Sequence, residues 1–298
     1  MTSTHFRILI IGLGQIGYHD AEYMTSLGLR VDGYDINRKT GERALKEGIL
    51  RTLTTSFQDY DCYVIAVSTH NPLNIEQPSF DALFQIAERL SCEGKKNALV
   101  AIESTVTKGT CDEIQDILGH RLHVAHVPHR FFGEDKMTHG VRQLRVLGGC
   151  NKCCTQKALR FYGGILNIPV HRVRLIELAE LSKVIENSHR FLEIAFAEEL
   201  KMMCDAYGWS FEELREAVNT KWNVKILEAR QGIEGHCLPK DSQMYLNLSN
   251  SIAQASIIDG AKAIDREYKQ KLEQNKGLRM IVPNIPFHQH PISAAAET

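Results

Sequence analysis

Arg7-Ile-Leu-Ile-Ile11 followed by Gly12-Leu-Gly14-Gln-Ile-Gly17 is the stretch that decides the fold. The first five residues read as a strand buried on both faces, and residues 15–27 after the glycines read as a helix. In such a strand–turn–helix the first glycine makes the tight turn, the second leaves room for a ligand against the backbone, and the third lets helix and strand pack closely. Arg30-Val-Asp-Gly-Tyr34 is a second strand, and residues 62–67, 98–102 and 122–125 are further candidates. Short strands alternating with helical patterns predict an α/β domain, a doubly wound parallel sheet with helices on both faces. Residues 71–78, with two Pro and two Asn, read as a loop ahead of a helical stretch at 80–90.

The spacing Gly12-x-Gly14-x-x-Gly17 between a strand and a helix predicts a dinucleotide site, because the free N–H groups and partial positive charge of the helix start suit a pyrophosphate. Asp35 ends the second strand eighteen residues after Gly17. A carboxylate there accepts hydrogen bonds from ribose hydroxyls and repels a 2′-phosphate, which favours NAD over NADP. Arg38 and Lys39 lie close behind and keep NADP open as an alternative.

The texture changes from residue 176. The stretch to 207 has neither Gly nor Pro and places Leu181, Ile185, Leu192, Phe196, Leu200 and Met203 at helical spacing, so one long amphipathic helix is expected. Gly208 ends it, and Ser210 with Glu213 forms a capping-box pattern for the next helix. Two more helical segments fill 241–275. The expected organisation is a dinucleotide-binding domain over 1–174, an all-helical domain over 175–275 and a flexible tail over 276–298, where Pro283, Pro286 and Pro291 occur without periodicity.

Composition narrows the class. The 298 residues are 43% hydrophobic and 24% charged, which is globular rather than disordered. Lys+Arg of 35 against Asp+Glu of 36 leaves no basic excess for nucleic acid or an anionic membrane. No apolar run approaches the ~20 residues of a spanning helix, and no secretory leader is evident, so a cytoplasmic protein is expected. The eight Cys are too sparse for a disulfide scaffold. Cys150, Cys153 and Cys154 lack the partners of a four-ligand metal site, and no metal is expected.

Chemistry concentrates in the second half. Glu180, Lys183, Asn187 and Arg190 line one stripe of the long helix. Gly232-Ile-Glu-Gly235-His236-Cys237-Leu-Pro239-Lys240-Asp241 is a glycine-punctuated turn that presents one Cys amid His, Lys and Asp at a helix start. Nearby cations and a helix N-terminus predict a lowered thiol pKa and a nucleophilic thiolate.

With these markers the chain, from residue 8 to about 265, resembles the nucleotide-sugar 6-dehydrogenases. The markers run in family order: Gly12/Gly14/Gly17 with Asp35, Ser104-Thr105-Val106 with Gly109-Thr110, Leu147-Gly148-Gly149, Ala179 to Asn187 with Arg190, Asn219-Thr220-Lys221, and Gly235 to Asp241. The resemblance implies a Rossmann-type domain, NAD as cofactor, and oxidation of a C6 alcohol to a carboxylate through an adduct on Cys237. It implies cofactor contacts from Gln15, Ile16, Ser68, Thr69, Ser104 and Thr105 beside the glycines and Asp35. Lys183 and Asn187 would stabilise an oxyanion, Asp241 would position Lys183 and a water, and Thr105 would lie beside the nicotinamide. It further implies a homodimer through the long helix.

Three departures accompany the resemblance. The family has Pro-Glu where this chain has Pro128-His129, so His129 becomes the candidate acid/base. Glu234 stands where Gly is usual. The family continues into a second Rossmann-like domain that grips the nucleotide, which makes this a short form or a chain whose missing domain comes from another. Two other readings remain: a two-electron β-hydroxyacid-type dehydrogenase, which needs Lys183 and Asn187 but not Cys237, and a non-catalytic NAD-binding homologue.

Overall fold

The computed structural model describes residues 6–133, 135–254 and 256–281. Its first half alternates strands and helices: β1 (Arg7–Ile11), α1 (Gln15–Ser26), β2 (Arg30–Tyr34), α2 (Arg38–Lys46), β3 (Thr52–Leu53) and β4 (Cys62–Ile65). A hairpin of β5 (His70–Asn71) and β6 (Asn74–Pro78) follows, then α3 (Asp81–Glu93), β7 (Leu99–Ile102), α4 (Thr110–Ile117), β8 (His123–His126) and the short α5 (Lys136–His139). β9 (Arg145–Gly149), α6 (Lys152–Leu159) with a π-helical extension Arg160–Ile165, and β10 (Val170–Arg172) complete the alternation. Four helices follow: α7 (Ile176–Tyr207), α8 (Phe211–Asn219), α9 (Cys237–Ser249) and α10 (Ile257–Ile281).

The main sheet has eight strands in the order β10-β9-β8-β7-β4-β1-β2-β3, all parallel except the β8–β9 pair. Ile8, Leu9, Ile10 and Ile11 are fully buried, alternating between apolar clusters on the two faces of the sheet. The order reverses at β1, whose neighbours are β2 and β4. Such a switch point leaves a crevice at the carboxyl ends of the strands, the place where ligands bind in doubly wound sheets. Gly12 has φ of +91°, and a Cβ on Gly17 would lie 1.9 Å from the Gly12 carbonyl oxygen, so the turn tolerates no side chain at either position.

Residues 71–78, expected as an irregular loop, form the β5–β6 hairpin instead. Asn71 Oδ1 accepts from the Leu73 N–H at 2.9 Å and Asn74 Oδ1 from the Glu76 N–H at 3.2 Å, so the same asparagines that read as loop formers shape a tight turn. The hairpin packs through β6 on α9.

Two compact units emerge, and they divide differently from the expected 1–174 and 175–275. Gly235–Ser256 joins the first unit, which otherwise runs up to Phe191; among the described residues Leu192–Glu234 and 257–281 make the second. The cause is the packing of α9 on the hairpin, which draws Cys237 and Asp241 to the dinucleotide-type unit. At the α7 start, Glu180 is buried and its two oxygens accept the Gly109 and Cys111 N–H groups, each at 2.7 Å, capping α4.

In the second unit Ala197, Cys204, Phe211 and Ile226 form the core. Ser210 Oγ accepts from the Glu213 N–H at 3.2 Å, as the capping pattern predicts. Asn219 clamps Ile226 by accepting from its N–H at 2.6 Å and donating to its carbonyl at 3.0 Å. Glu198 is fully buried with neither oxygen hydrogen-bonded among the described residues, and burial, then Asp265, push its carboxyl up to about 8. α10 continues to Ile281, six residues into the expected tail, because the first proline lies only at 283; residues 282–298 fall outside the described residues. Among the described residues no helix is long and apolar enough to cross a membrane.

Candidate active site

A cleft of about 570 Å³ opens at the switch point, lined among others by Gly12, Gly14, Tyr34, Asp35, Val67, Ser68 and Arg89. Gly14 caps α1 without a side chain, and a Cβ there would meet nothing within 4 Å, so the helix N–H groups face open space. Asp35 is held rigidly: Oδ2 accepts from the Leu13 N–H and Oδ1 from the Asn37 N–H, both at 2.7 Å. Its remaining lone pairs suit a ribose diol at the cleft wall, and the free helix start suits a pyrophosphate. These residues fit a dinucleotide. Gln15 and Ile16 form the first turn of α1. Ser104 Oγ donates to the Val67 carbonyl at 2.7 Å and Thr69 Oγ1 to the Thr105 carbonyl at 2.8 Å, so 67–69 and 104–105 are bonded into one floor.

Cys237 is the first residue of α9, entered through Gly235 at φ of +77°. The residue is exposed, yet its thiol is pushed up rather than down, by desolvation first and then by Asp241, against Lys240 and Lys183. The expected lowering therefore does not arise in the resting site. Asp241 departs from expectation as well. Its Oδ2 accepts from Asn187 Nδ2 at 2.5 Å and its Oδ1 from Lys240 Nζ at 2.5 Å, so it positions Asn187 and pairs with Lys240, not Lys183. The half-buried Lys183 ammonium has no hydrogen-bond or ion-pair partner among the described residues and is available to a ligand. Lys183 and Asn187 sit one turn apart on α7, and Asp241 ties that helix to the one bearing the thiol.

The hairpin adds what the sequence did not suggest. The His70 ring lies over that of His236, the residue before Cys237, with centroids 4.5 Å apart. His70 Nδ1 is hydrogen-bonded to Ser68 Oγ, and Ser68 lines the cofactor cleft. Ser68, His70 and His236 thus run from the cleft to the residue before Cys237.

His129 is locked into a buried network, where the Lys183 charge is among those that act on it. It is buried, its Nδ1 accepts the Phe131 N–H at 2.9 Å, and its Nε2 is 3.1 Å from Asp20 Oδ1. With Nδ1 accepting, Nε2 carries the proton and donates to the carboxylate. Burial, then the Arg145 charge, hold its pKa well below the usual imidazole value. Arg145 bridges two carboxylates, reaching Glu103 Oε2 at 2.9 Å and Asp20 Oδ1 at 3.3 Å, and the Tyr162 hydroxyl donates to Glu103 Oε1 at 2.6 Å. Burial pushes the Glu103 carboxyl up to about 7 and raises that of Asp20. Asp20, Glu103 and His129 offer ligand-type atoms within 4.8 Å of one another, but the guanidinium already fills the role of their cation. Both His129 nitrogens are engaged, so the ring buttresses its loop and is not a base in the open site. The next residue, Arg130, forms an ion pair with Glu186, which lies between Lys183 and Asn187. This network escaped the sequence because residues 20, 103, 129, 145 and 162 share no spacing.

A doubly wound dinucleotide-type unit carrying Lys, Asn, Asp and Cys at one edge defines a class of nicotinamide-dependent dehydrogenases, and the relatives agree. Residues 177–267 match the central domain of the UDP-glucose/GDP-mannose dehydrogenase family. A UDP-N-acetyl-D-mannosamine dehydrogenase of Pyrococcus horikoshii is 30% identical over 289 residues, covering 87% of this chain and 68% of the relative. The chain belongs to the UDP-glucose/GDP-mannose dehydrogenase family. A second UDP-N-acetyl-D-mannosamine dehydrogenase, from Methanococcus maripaludis, is 26% identical over 82% of this chain, which spans 62% of that relative's length. The solved structure of the P. horikoshii protein superposes with a TM-score of 0.75 over 88% of this chain and 69% of its own. A 3-hydroxyisobutyrate dehydrogenase of Mycobacterium tuberculosis, 13% identical with a TM-score of 0.70 over 88% of this chain and 93% of its own, shares the fold.

Proposed function

We propose that this protein oxidises the C6 alcohol of a nucleotide sugar of the UDP-N-acetylhexosamine class to a carboxylate, with NAD as the oxidant and Cys237 as the nucleophile. The observation that carries this reading is the joining of Lys183, Asn187, Asp241 and Cys237 on two linked helices, connected to the cleft through Ser68 and His70. Gly12, Gly14, Gly17 and Asp35 hold the dinucleotide, with Gln15, Ile16, Ser68, Thr69, Ser104 and Thr105 along its path; Asp35 excludes a 2′-phosphate. NAD, when bound, supplies the hydride acceptor.

Lys183 and Asn187 then act as preorganised donors to the substrate oxygen, first as an alkoxide and later as the oxyanion of a tetrahedral adduct. Asn187 is held for this by Asp241 and Lys183 is left unpaired. The Cys237 thiol, raised in the resting site, ionises when a carbonyl carbon sits against it and the Lys183 charge is desolvated. The sulfur captures the aldehyde, and the second hydride loss leaves a thioester that water cleaves.

The test is NADH yield on UDP-N-acetyl-D-mannosamine, UDP-glucose and 3-hydroxyisobutyrate. Two NADH per nucleotide sugar are expected; one per 3-hydroxyisobutyrate and none on either nucleotide sugar would move the protein to the two-electron class, and NAD binding without turnover to the non-catalytic one.

The assembly we infer is a homodimer through α7. Leu178, Ile185, Phe196 and Met203 on that helix each expose more than a third of their surface, a costly stripe for a lone chain. Light scattering should give twice the 33.7 kDa chain mass, and a monomer at micromolar concentration would refute the dimer.

A further inference from the structure

Thioester cleavage needs a base for the attacking water, and His129, the candidate the sequence offers, is buried with both ring nitrogens bonded. The geometry points to His70: oriented by Ser68 and in tilted ring contact with His236, it takes the proton of the water that releases an acyl group from Cys237. This rests on the reading of Cys237 as an acyl-carrying nucleophile.

A base needs a lone pair facing the site and a partner that fixes its ring. Ser68 Oγ supplies the partner. It accepts from the His70 backbone N–H at 3.4 Å and is hydrogen-bonded to Nδ1; in the Nδ1–H tautomer, the one the step uses, it accepts that proton and Nε2 is left unprotonated. The tilted ring contact, with centroids 4.5 Å apart, holds His70 against the residue preceding Cys237, and the β6–α9 packing holds the hairpin in place. The charges on α9 are Lys240 and Asp241, paired with each other, and β6 carries Glu76 as its one titratable residue. His236 is held below its usual pKa by burial, then by His70 and Lys240, against Asp241.

In the step, a water O–H proton passes to His70 Nε2 while the oxygen bonds to the thioester carbonyl carbon. Lys183 and Asn187 receive the oxyanion. The adduct collapses with cleavage of the C–S bond, and the imidazolium proton returns to the departing sulfur. No electrons change hands, and the acid and the free thiol are the products.

The experiment uses p-nitrophenyl acetate on the full chain with the exposed Cys92 and Cys153 changed to Ser. The probe acylates Cys237 without sugar or cofactor. A burst of p-nitrophenolate and an acetyl mass on the Cys237 peptide report acylation, and the slower steady phase reports release. His70→Gln should keep the burst and slow release by roughly 10²-fold, the usual worth of a general base. It should also flatten the pH profile of release near neutrality, and added imidazole should restore part of the rate. His236→Gln, which keeps His70 but removes its ring contact, should give a smaller loss. Release from His70→Gln at the background rate overturns the assignment while leaving Cys237 as the nucleophile. Absence of any acetyl-Cys237 in the background protein sinks both readings together.

Discussion

Arg145→Met is expected to cost about 3–5 kcal/mol of stability, the usual loss when one partner of a buried ion pair is removed. The side chain is fully buried and its guanidinium bridges Glu103 and Asp20, so methionine fills the volume but leaves two carboxyls without their cation. The loss carries a pH signature. In the native protein burial already raises Glu103 to about 7 and lifts Asp20, and without the guanidinium both rise further. A carboxyl whose folded pKa lies above its unfolded one contributes stability that is complete below the ordinary carboxylate range and is lost as pH climbs through the folded value. The deficit of the variant should therefore grow from pH 5 to pH 8 in urea unfolding, and Glu103→Gln added to it should reduce that growth. An equal deficit at both pH values would show that the carboxyls are not the groups relieved by Arg145.

The sheet and the turn around Gly12 were legible because their determinants are local: apolar runs, glycines at fixed spacing, and an acid at the end of the next strand. The long helix was legible for the same reason, through periodicity over thirty residues. The hairpin was not, since its asparagines carry the same signal whether they end in a loop or in a paired turn. At the site, Cys237, Lys183 and Asn187 could be picked out by motif, but pairing could not: nothing in the order Lys240-Asp241 says that the carboxylate turns to its neighbour and to Asn187 rather than to Lys183. The thiol was misjudged in direction because cations nearby in sequence are visible, whereas burial of the sulfur is a property of the packed turn. His129 shows the converse. Its place in the chain suggested a base, and only the three-dimensional meeting of Asp20, Glu103 and Arg145 shows why it is locked.

Cys237→Ala is expected to lower carboxylate formation by at least about 10³-fold, the scale on which loss of a nucleophile acts, while leaving dinucleotide binding unchanged. The two effects separate because the thiol lies at the start of α9 and does not line the cleft proposed for the dinucleotide, which the turns after β1, β2 and β4 form. Folding should survive, since Cys237 is exposed and alanine suits a first helical turn. The informative comparison is with Cys237→Ser. A hydroxyl has a far higher pKa than the thiol and is a poorer nucleophile at neutral pH, so it should also stop the second oxidation. If the sulfur carries the intermediate, wild type yields two NADH per sugar and a transient adduct mass on the Cys237 peptide, and both variants lose the adduct together with the acid. Lys183→Met should act differently, slowing both oxidations alike, because an unpaired ammonium that meets the substrate oxygen serves every oxyanion along the path. Full acid production by Cys237→Ala would remove the thioester from the mechanism and leave Lys183 and Asn187 to a two-electron reaction.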